Sequence, residues 1–291
     1  MLLAMKLKAA LTAAALASPL AMTGIPPTHN FQAVSEFAEI STASFPYRVA
    51  GDFSREGQPV SAPLRNMRLG STLKIMVRQV TAAEYARCVD DGGCPRIPHA
   101  SGAADRPMVG VSWRDATAYA QWMTKTTGLL YRLPTDEEWV FAASEKARDE
   151  DLTVVDTVDP SQAWIARYEA EANRERPIVL DPQPVGTFGR NRHGLQDVAG
   201  NVWEWTNTCF VRSAIEASGT VRATNTNCGV RVVQGAHRTY MTDFIRDPRT
   251  GGCAAGVPPA NLGFRLVVEQ EKWPGLQRMV ERAADKVFGL L

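Results

Sequence analysis

Histidine is scarce in this chain: four in 291 residues, at His29, His99, His193 and His237. A multi-histidine copper or iron centre, which needs several imidazoles around one ion, cannot be assembled from them. There is also no Cys-x-x-Cys or paired-histidine spacing of the kind that holds zinc. Excess charge of one sign is missing too. The 32 basic and 31 acidic residues are interleaved and leave a net charge of +1. No basic stripe marks a nucleic-acid surface, so nucleic acid is not expected as a partner. No apolar run reaches the roughly 20 residues needed to cross a bilayer, so no stable membrane span is expected. No Gly/Ser- or Pro-rich linker divides the middle of the chain, which favours one large domain.

Several features are present. Lys6 and Lys8 precede an apolar stretch, Ala9 to Ala17, that ends in small residues. This reads as a secretory signal over residues 1–21, and hence as export to the periplasm. A retained amphipathic anchor is the alternative reading. Export permits disulfides. Of the five cysteines, Cys88 and Cys94 flank the turn-rich Asp90-Asp-Gly-Gly93, and Cys209 and Cys228 flank a polar stretch between candidate strands. Pairing 88 with 94 and 209 with 228 leaves Cys253 odd, either buried and inert, reactive, or intermolecular.

Three capping boxes, in which a Ser or Thr is answered by an acid three residues later, open helices. Thr81 with Glu84 starts one through about Val89, Ser112 with Asp115 one through about Thr124, and Thr135 with Glu138 one through about Lys146. Gly128 is a stop signal beyond the second. Lys74–Arg78, Val230–Val233, Gly263–Val268 and Phe45–Phe53 read as strands. A short helix is expected through Gln162 to Asn173, and Leu276, Met279, Val280, Ala283 and Val287 lie at helical spacing. That last stretch, within residues 269–291, forms an amphipathic helix that docks either on its own domain or on a partner.

The densest motif is Asp197-Val-Ala-Gly-Asn-Val-Trp-Glu-Trp205. Two carboxylates bracket a Gly-Asn turn, and oxygen ligands in a tight loop suit a hard cation. A buried turn with a capped carboxylate and no metal is the other reading. Trp203 and Trp205 share one strand face and seal the loop onto a core.

This motif resembles the Gly-Asn-Val-Trp-Glu-Trp signature of the formylglycine-generating-enzyme family, also called sulfatase-modifying-factor domains. Four more segments agree in the family's order: Val80-Thr-Ala-Ala-Glu-Tyr85, Pro107-Met-Val-Gly-Val-Ser-Trp113, Arg132-Leu-Pro-Thr-Asp-Glu-Glu-Trp139 and Asn261-Leu-Gly-Phe-Arg265. The resemblance covers residues 45–268, after an extension over 22–44. It implies a compact α+β fold, C-type-lectin-like, with little regular secondary structure. It also implies calcium on the side chains of Asp197 and Glu204 and the carbonyls of Gly200 and Val202. The family's other calcium site is not expected, because Trp164 stands where its first ligand should be.

The family's oxidase activity uses copper(I) held by two cysteines, as a soft ion prefers thiolates. Residue-for-residue placement puts Thr239 and Phe244 at those positions, so formylglycine generation by that route is not expected. The segment nevertheless keeps His237, Tyr240, Met241, Asp243 and Arg246 within ten residues. His237, Tyr240, Asp243 and Arg246, with Cys253 as helper, are the catalytic candidates if the chain catalyses anything. A mixed-ligand metal site on His237 with Met241 or Asp243 is open, as is an anion site on Arg238 and Arg246. A polar loop without chemistry is the plainer alternative. Whether copper or iron is used is left open.

Tyr240-Met-Thr-Asp-Phe-Ile-Arg-Asp247, the stretch from Gly251 to Arg265 and Ala163–Ala172 are similar to accessory proteins encoded beside copper nitrite reductase. That likeness implies an exported accessory or maturation protein with a periplasmic client, nitrite reductase among the candidates. The alternatives are an oxidoreductase, generating formylglycine or oxidising a small metabolite, and a non-catalytic binding module.

Overall fold

The computed structural model describes residues 36–98, 103–148, 162, 165, 181–247 and 261–269. The expected signal segment, Cys253 and the C-terminal helix lie outside these residues, as does nearly all of the helix expected from Gln162. Twelve strands, ten of them of five residues or fewer, and three helices carry the described part, a mixed α+β architecture with long connections.

A four-stranded sheet has the order β1-β6-β12-β7, built from Phe37–Ile40, Leu73–Met76, Val267–Val268 and Tyr131–Arg132. Its neighbours are all antiparallel, and the chain's last described strand, β12, sits between β6 and β7. β1 comes from the stretch read as an extension and pairs with β6 along its whole length. The larger sheet runs β10-β9-β8-β3-β4 through Thr239–Thr242, Val221–Gln234, Trp203–Ile215, Asp52–Arg55 and Gln58–Val60. β11, Leu262–Gly263, joins β8 in parallel. β2, Ser44–Arg48, and β5, Leu64–Arg68, form a separate antiparallel pair. Phe45–Phe53, read as one strand, is thus two, parted by Val49, Ala50 and Gly51. Gly51 (φ +121°) is required there, because a Cβ would lie 2.3 Å from the Val211 carbonyl oxygen.

The helices begin where local chemistry dictates. α1 (Ala82–Asp90), α2 (Trp113–Thr127) and α3 (Asp136–Ala143) each carry a complete capping box, on Thr81/Glu84, Ser112/Asp115 and Thr135/Glu138. Each box satisfies donors that a helix start leaves without partners, worth about 1 kcal/mol. α2 ends on Gly128 in the left-handed conformation, φ 74°. α3 tightens into a 3₁₀ turn over Ser144–Lys146. α1 is tied to the following loop by the expected Cys88–Cys94 disulfide, and the second expected bridge, Cys209–Cys228, ties β8 to β9.

Two apolar clusters hold these elements together. One gathers Tyr85, Tyr119, Met123, Trp205, Met241, Phe264 and Leu266, with Tyr85 and Tyr119 stacked at 6.0 Å. The other gathers Ile40, Ile75, Trp139, Phe141, Leu195 and Val267 around α3 and β6. Burying one such aromatic stabilises by about 3 kcal/mol, so the clusters rather than helix propensity fix the layout. Among the described residues no helix is long and apolar enough to cross a membrane.

Candidate functional site

The turn before β8 is held open by strain and closed by hydrogen bonds. Asp197 and Ala199 both adopt φ 57°, which costs an L-residue roughly 1–2 kcal/mol apiece. The Asp197 carboxylate offsets this by accepting from the backbone N–H of Gly186 at 2.5 Å and of Phe188 at 2.8 Å. Its own N–H donates to the Gly189 carbonyl and the Gly200 N–H returns to its carbonyl. Asn201 clamps Gln183 from both sides, amide to backbone.

Glu204, at the start of β8, is wholly buried and its partners can be counted in full. Oε1 accepts from Gln79 Nε2 at 2.7 Å and Arg265 Nη2 at 2.6 Å. Oε2 accepts from Trp139 Nε1 at 2.8 Å and Arg265 Nε at 2.6 Å. A carboxylate offers about four lone-pair sites, and all are taken. Arg265, also 0% exposed, is equally complete. Besides the fork onto Glu204, its remaining N–H groups reach the carbonyls of Met76, Val77 and Gln196. A guanidinium has five donors, and each has an acceptor. The proposed ligands Asp197, Gly200, Val202 and Glu204 therefore do not fit a calcium ion as a set. The acid that should dominate the site is saturated with donors, and its counter-charge is a side chain of the protein.

The segment after β9 distributes its polar groups instead of converging them. His237 is buried beside Trp203, ring to ring at 5.4 Å, and its carbonyl accepts the Trp203 indole N–H at 3.2 Å. Gly235 makes room for that indole, since a Cβ there would lie 2.6 Å from the ring. Arg238 is paired with buried Asp136 at 2.9 Å, and Asp136 also accepts from the Tyr47 hydroxyl at 2.7 Å and from the Gln234 amide. Burial and the adjacent Asp136 push the Tyr47 hydroxyl far above its ordinary range. Tyr240 is likewise raised by burial, and its oxygen accepts from the Gly51 N–H at 2.7 Å. Met241 points into the apolar core. Asp243 takes a forked hydrogen bond from Arg114 at 3.1 and 3.2 Å, and Arg246 forks onto Asp115 at 2.7 and 2.8 Å.

Tyr240 thus faces the β2–β3 connection, whereas Asp243 and Arg246 both serve the N-terminus of α2. They share a loop but not a reacting centre, and both arginines weighed as anion receptors face internal carboxylates. Among the described residues, no three His, Cys, Asp or Glu side chains group as a metal site. Of the two residues that the resemblance sets at the expected thiol positions, Thr239 is buried on β10 and Phe244 is 60% exposed. Neither side chain fits a soft ion, and all four described cysteines are bridged to one another.

Sequence reading missed Gln79, Trp139, Arg265 and Asp136 as members of this polar interior. Asp136 and Trp139 stood in Arg132-Leu-Pro-Thr-Asp-Glu-Glu-Trp139 and Arg265 in Asn-Leu-Gly-Phe-Arg, but neither motif named the partners.

Comparison with known proteins bears on this arrangement. Residues 30–270 match the family described as the sulfatase-modifying factor enzyme 1-like domain. The formylglycine-generating enzyme of Streptomyces coelicolor is 32% identical over 184 residues, 60% of this chain and 56% of that protein. The inactive C-alpha-formylglycine-generating enzyme 2 of Bos taurus is 36% identical over 174 residues, 58% of this chain and 52% of that protein. The chain thus spans about half the length of these curated relatives. The structure of PvdO from Pseudomonas aeruginosa superposes over 81% of this chain and 95% of its own, with a TM-score of 0.52 and 20% identity, which shows a shared fold.

Proposed function

The chain belongs to the sulfatase-modifying factor enzyme 1-like domain family, and on that premise we propose that it is an accessory protein, not a copper-dependent oxidase. It would be exported and would assist a periplasmic metalloenzyme, with copper nitrite reductase as the leading client. One observation carries this reading. The positions that match the family's thiolate pair hold a buried threonine and an exposed phenylalanine, Thr239 and Phe244. A hydroxyl and a phenyl ring cannot replace two thiolates for copper(I). The internal pairing of Tyr240, Asp243 and Arg246 supports it further, because each is committed to holding the fold. A relative whose own name declares it inactive, the bovine protein, supports it as well.

The exposed face of the same loop is what a client would meet. Phe244 places a bare aromatic ring there, and aromatic side chains are the usual anchors of protein contacts. Titration calorimetry of the purified full chain against purified copper nitrite reductase tests the proposal. Saturable binding is expected, weakened at least tenfold by Phe244→Ala, a loss of about 1.4 kcal/mol or more. Absence of binding heat with the wild type would remove nitrite reductase as the client.

A further inference from the structure

The Cys209–Cys228 bridge lies against the loop just described. Asp243 donates its N–H to the Gly229 carbonyl, one residue past Cys228. Cys228 is exposed, while Cys209 is half-buried. The Cys209 sulfur meets a cation: Arg231 Nη1 lies 3.2 Å from it and also donates to the Asn207 carbonyl at 2.9 Å. The guanidinium is seated on the face of Trp113 at 4.0 Å. Its Nε is buried with no hydrogen-bond partner, and so is Nε1 of Trp113. A buried donor without an acceptor is costly and favours any group that can accept from it. The protein therefore holds a stacked guanidinium, its donors not all used, beside one half of a disulfide whose other half is open to solvent.

We propose that Cys209–Cys228 is an exchangeable disulfide that oxidises paired protein thiols, with Arg231 holding the Cys209 sulfur as it leaves. A client thiolate attacks the exposed Cys228 sulfur. The Cys209–Cys228 bond breaks, and its electron pair departs on Cys209 as a thiolate beside the guanidinium. A mixed disulfide joins Cys228 to the client. A second client thiolate then attacks the client sulfur of that bond and releases Cys228 as a thiolate. The client dithiol becomes a disulfide, this bridge becomes a dithiol, two electrons pass, and the two client protons go to the released sulfurs or to solvent. A leaving thiol with a stabilised anion departs faster, and stabilising the reduced form makes the bridge the stronger oxidant. Asp243 is the acid facing Arg231, and it partly offsets the burial that draws that guanidinium down. The Cys88–Cys94 bridge offers no exposed half, since Cys88 is 0% and Cys94 7% exposed.

That contrast supplies an internal control. The full chain is equilibrated in graded reduced and oxidised glutathione, quenched with acid, alkylated and read by peptide mass spectrometry. Cys209–Cys228 is expected to open at a reduced-to-oxidised ratio at least roughly tenfold lower than Cys88–Cys94. Arg231→Gln should raise the ratio needed at Cys209–Cys228 by roughly tenfold and leave Cys88–Cys94 in place, and Arg231→Lys should restore most of the difference. In the reduced wild type, alkylation of Cys209 should persist to lower pH than alkylation of Cys228. A reduced dithiol peptide should become a disulfide in an amount matching the bridge consumed. Opening of both wild-type bridges at one ratio would overturn the proposal, as would an unmoved Cys209–Cys228 in a folded Arg231→Gln protein.

Discussion

Arg265 and Glu204 show how much one pair of residues decides here. Both are at 0% exposure, every donor of the guanidinium and every lone pair of the carboxylate is used, and the pair joins the start of β8 to the segment between β11 and β12. Removing one partner strands the other as a buried charge. Arg265→Ala is therefore expected to cost about 3–5 kcal/mol, read as a drop in denaturation midpoint. A loss below about 1 kcal/mol would mean that Glu204 finds other compensation. The same pairing predicts indifference to calcium. An ion selective for the native state at a hundredfold its Kd would add about 2.7 kcal/mol, roughly 5–10 °C in Tm for a domain of this size. Scanning calorimetry with chelator and with added calcium should give one Tm, and a rise of several degrees with calcium would show that an ion takes the turn. Asp115 gives a pH test. Burial acts against its carboxylate, but the Arg246 fork and the Ser112 donors outweigh it and hold the carboxyl below its usual range. A lowered folded value means that the stabilisation is present above the unfolded value of about 3.9 and is lost as pH falls through the folded one. The Tm difference between wild type and Arg246→Gln should be constant near neutrality and shrink below about pH 4. A difference that does not shrink would remove the ion pair as its source.

Elements differ in how far the sequence announced them. The three helices were readable because a capping box is a contact across three residues, and each box formed as read. Both described disulfides were readable for a related reason, since turn-rich and hairpin segments bring their ends together. Strand partners were not. β12 lies between β6 and β7, and β3 joins β8 in parallel, through contacts separated by well over a hundred residues. No local pattern encodes such a register. The candidate site failed in the same way. Its residues were named correctly as polar and chemically able, but the distant partners that occupy them, Arg114, Asp115, Gly51 and Arg265, were not foreseen. β11 makes a test at this scale. A Cβ on Gly263 would lie 2.9 Å from the Met108 carbonyl oxygen and 3.0 Å from Val202 Cγ2. Gly263→Ala should push β11 from β8 and cost about 1–3 kcal/mol, as overpacking does. Unchanged stability would show that the β8–β11 junction yields more easily than its packing suggests.

The whole molecule keeps its family's scaffold, and its polar interior is closed on itself by internal pairing. A guanidinium stands on the acid that would meet calcium, and a threonine and a phenylalanine stand where thiols would meet copper. What remains is a rigid polar interior, an exposed Phe244 and one accessible disulfide beside it. Under the accessory role proposed above, Phe244 and Cys228 are the groups a client would meet. The most direct measurement supplies the purified full chain with copper(I), dioxygen and a peptide carrying Cys-x-Pro-x-Arg, and reads the peptide by mass spectrometry. The peptide is predicted to keep its sulfur, its cysteine at most oxidised to a disulfide. Conversion of that cysteine to formylglycine would contradict the account.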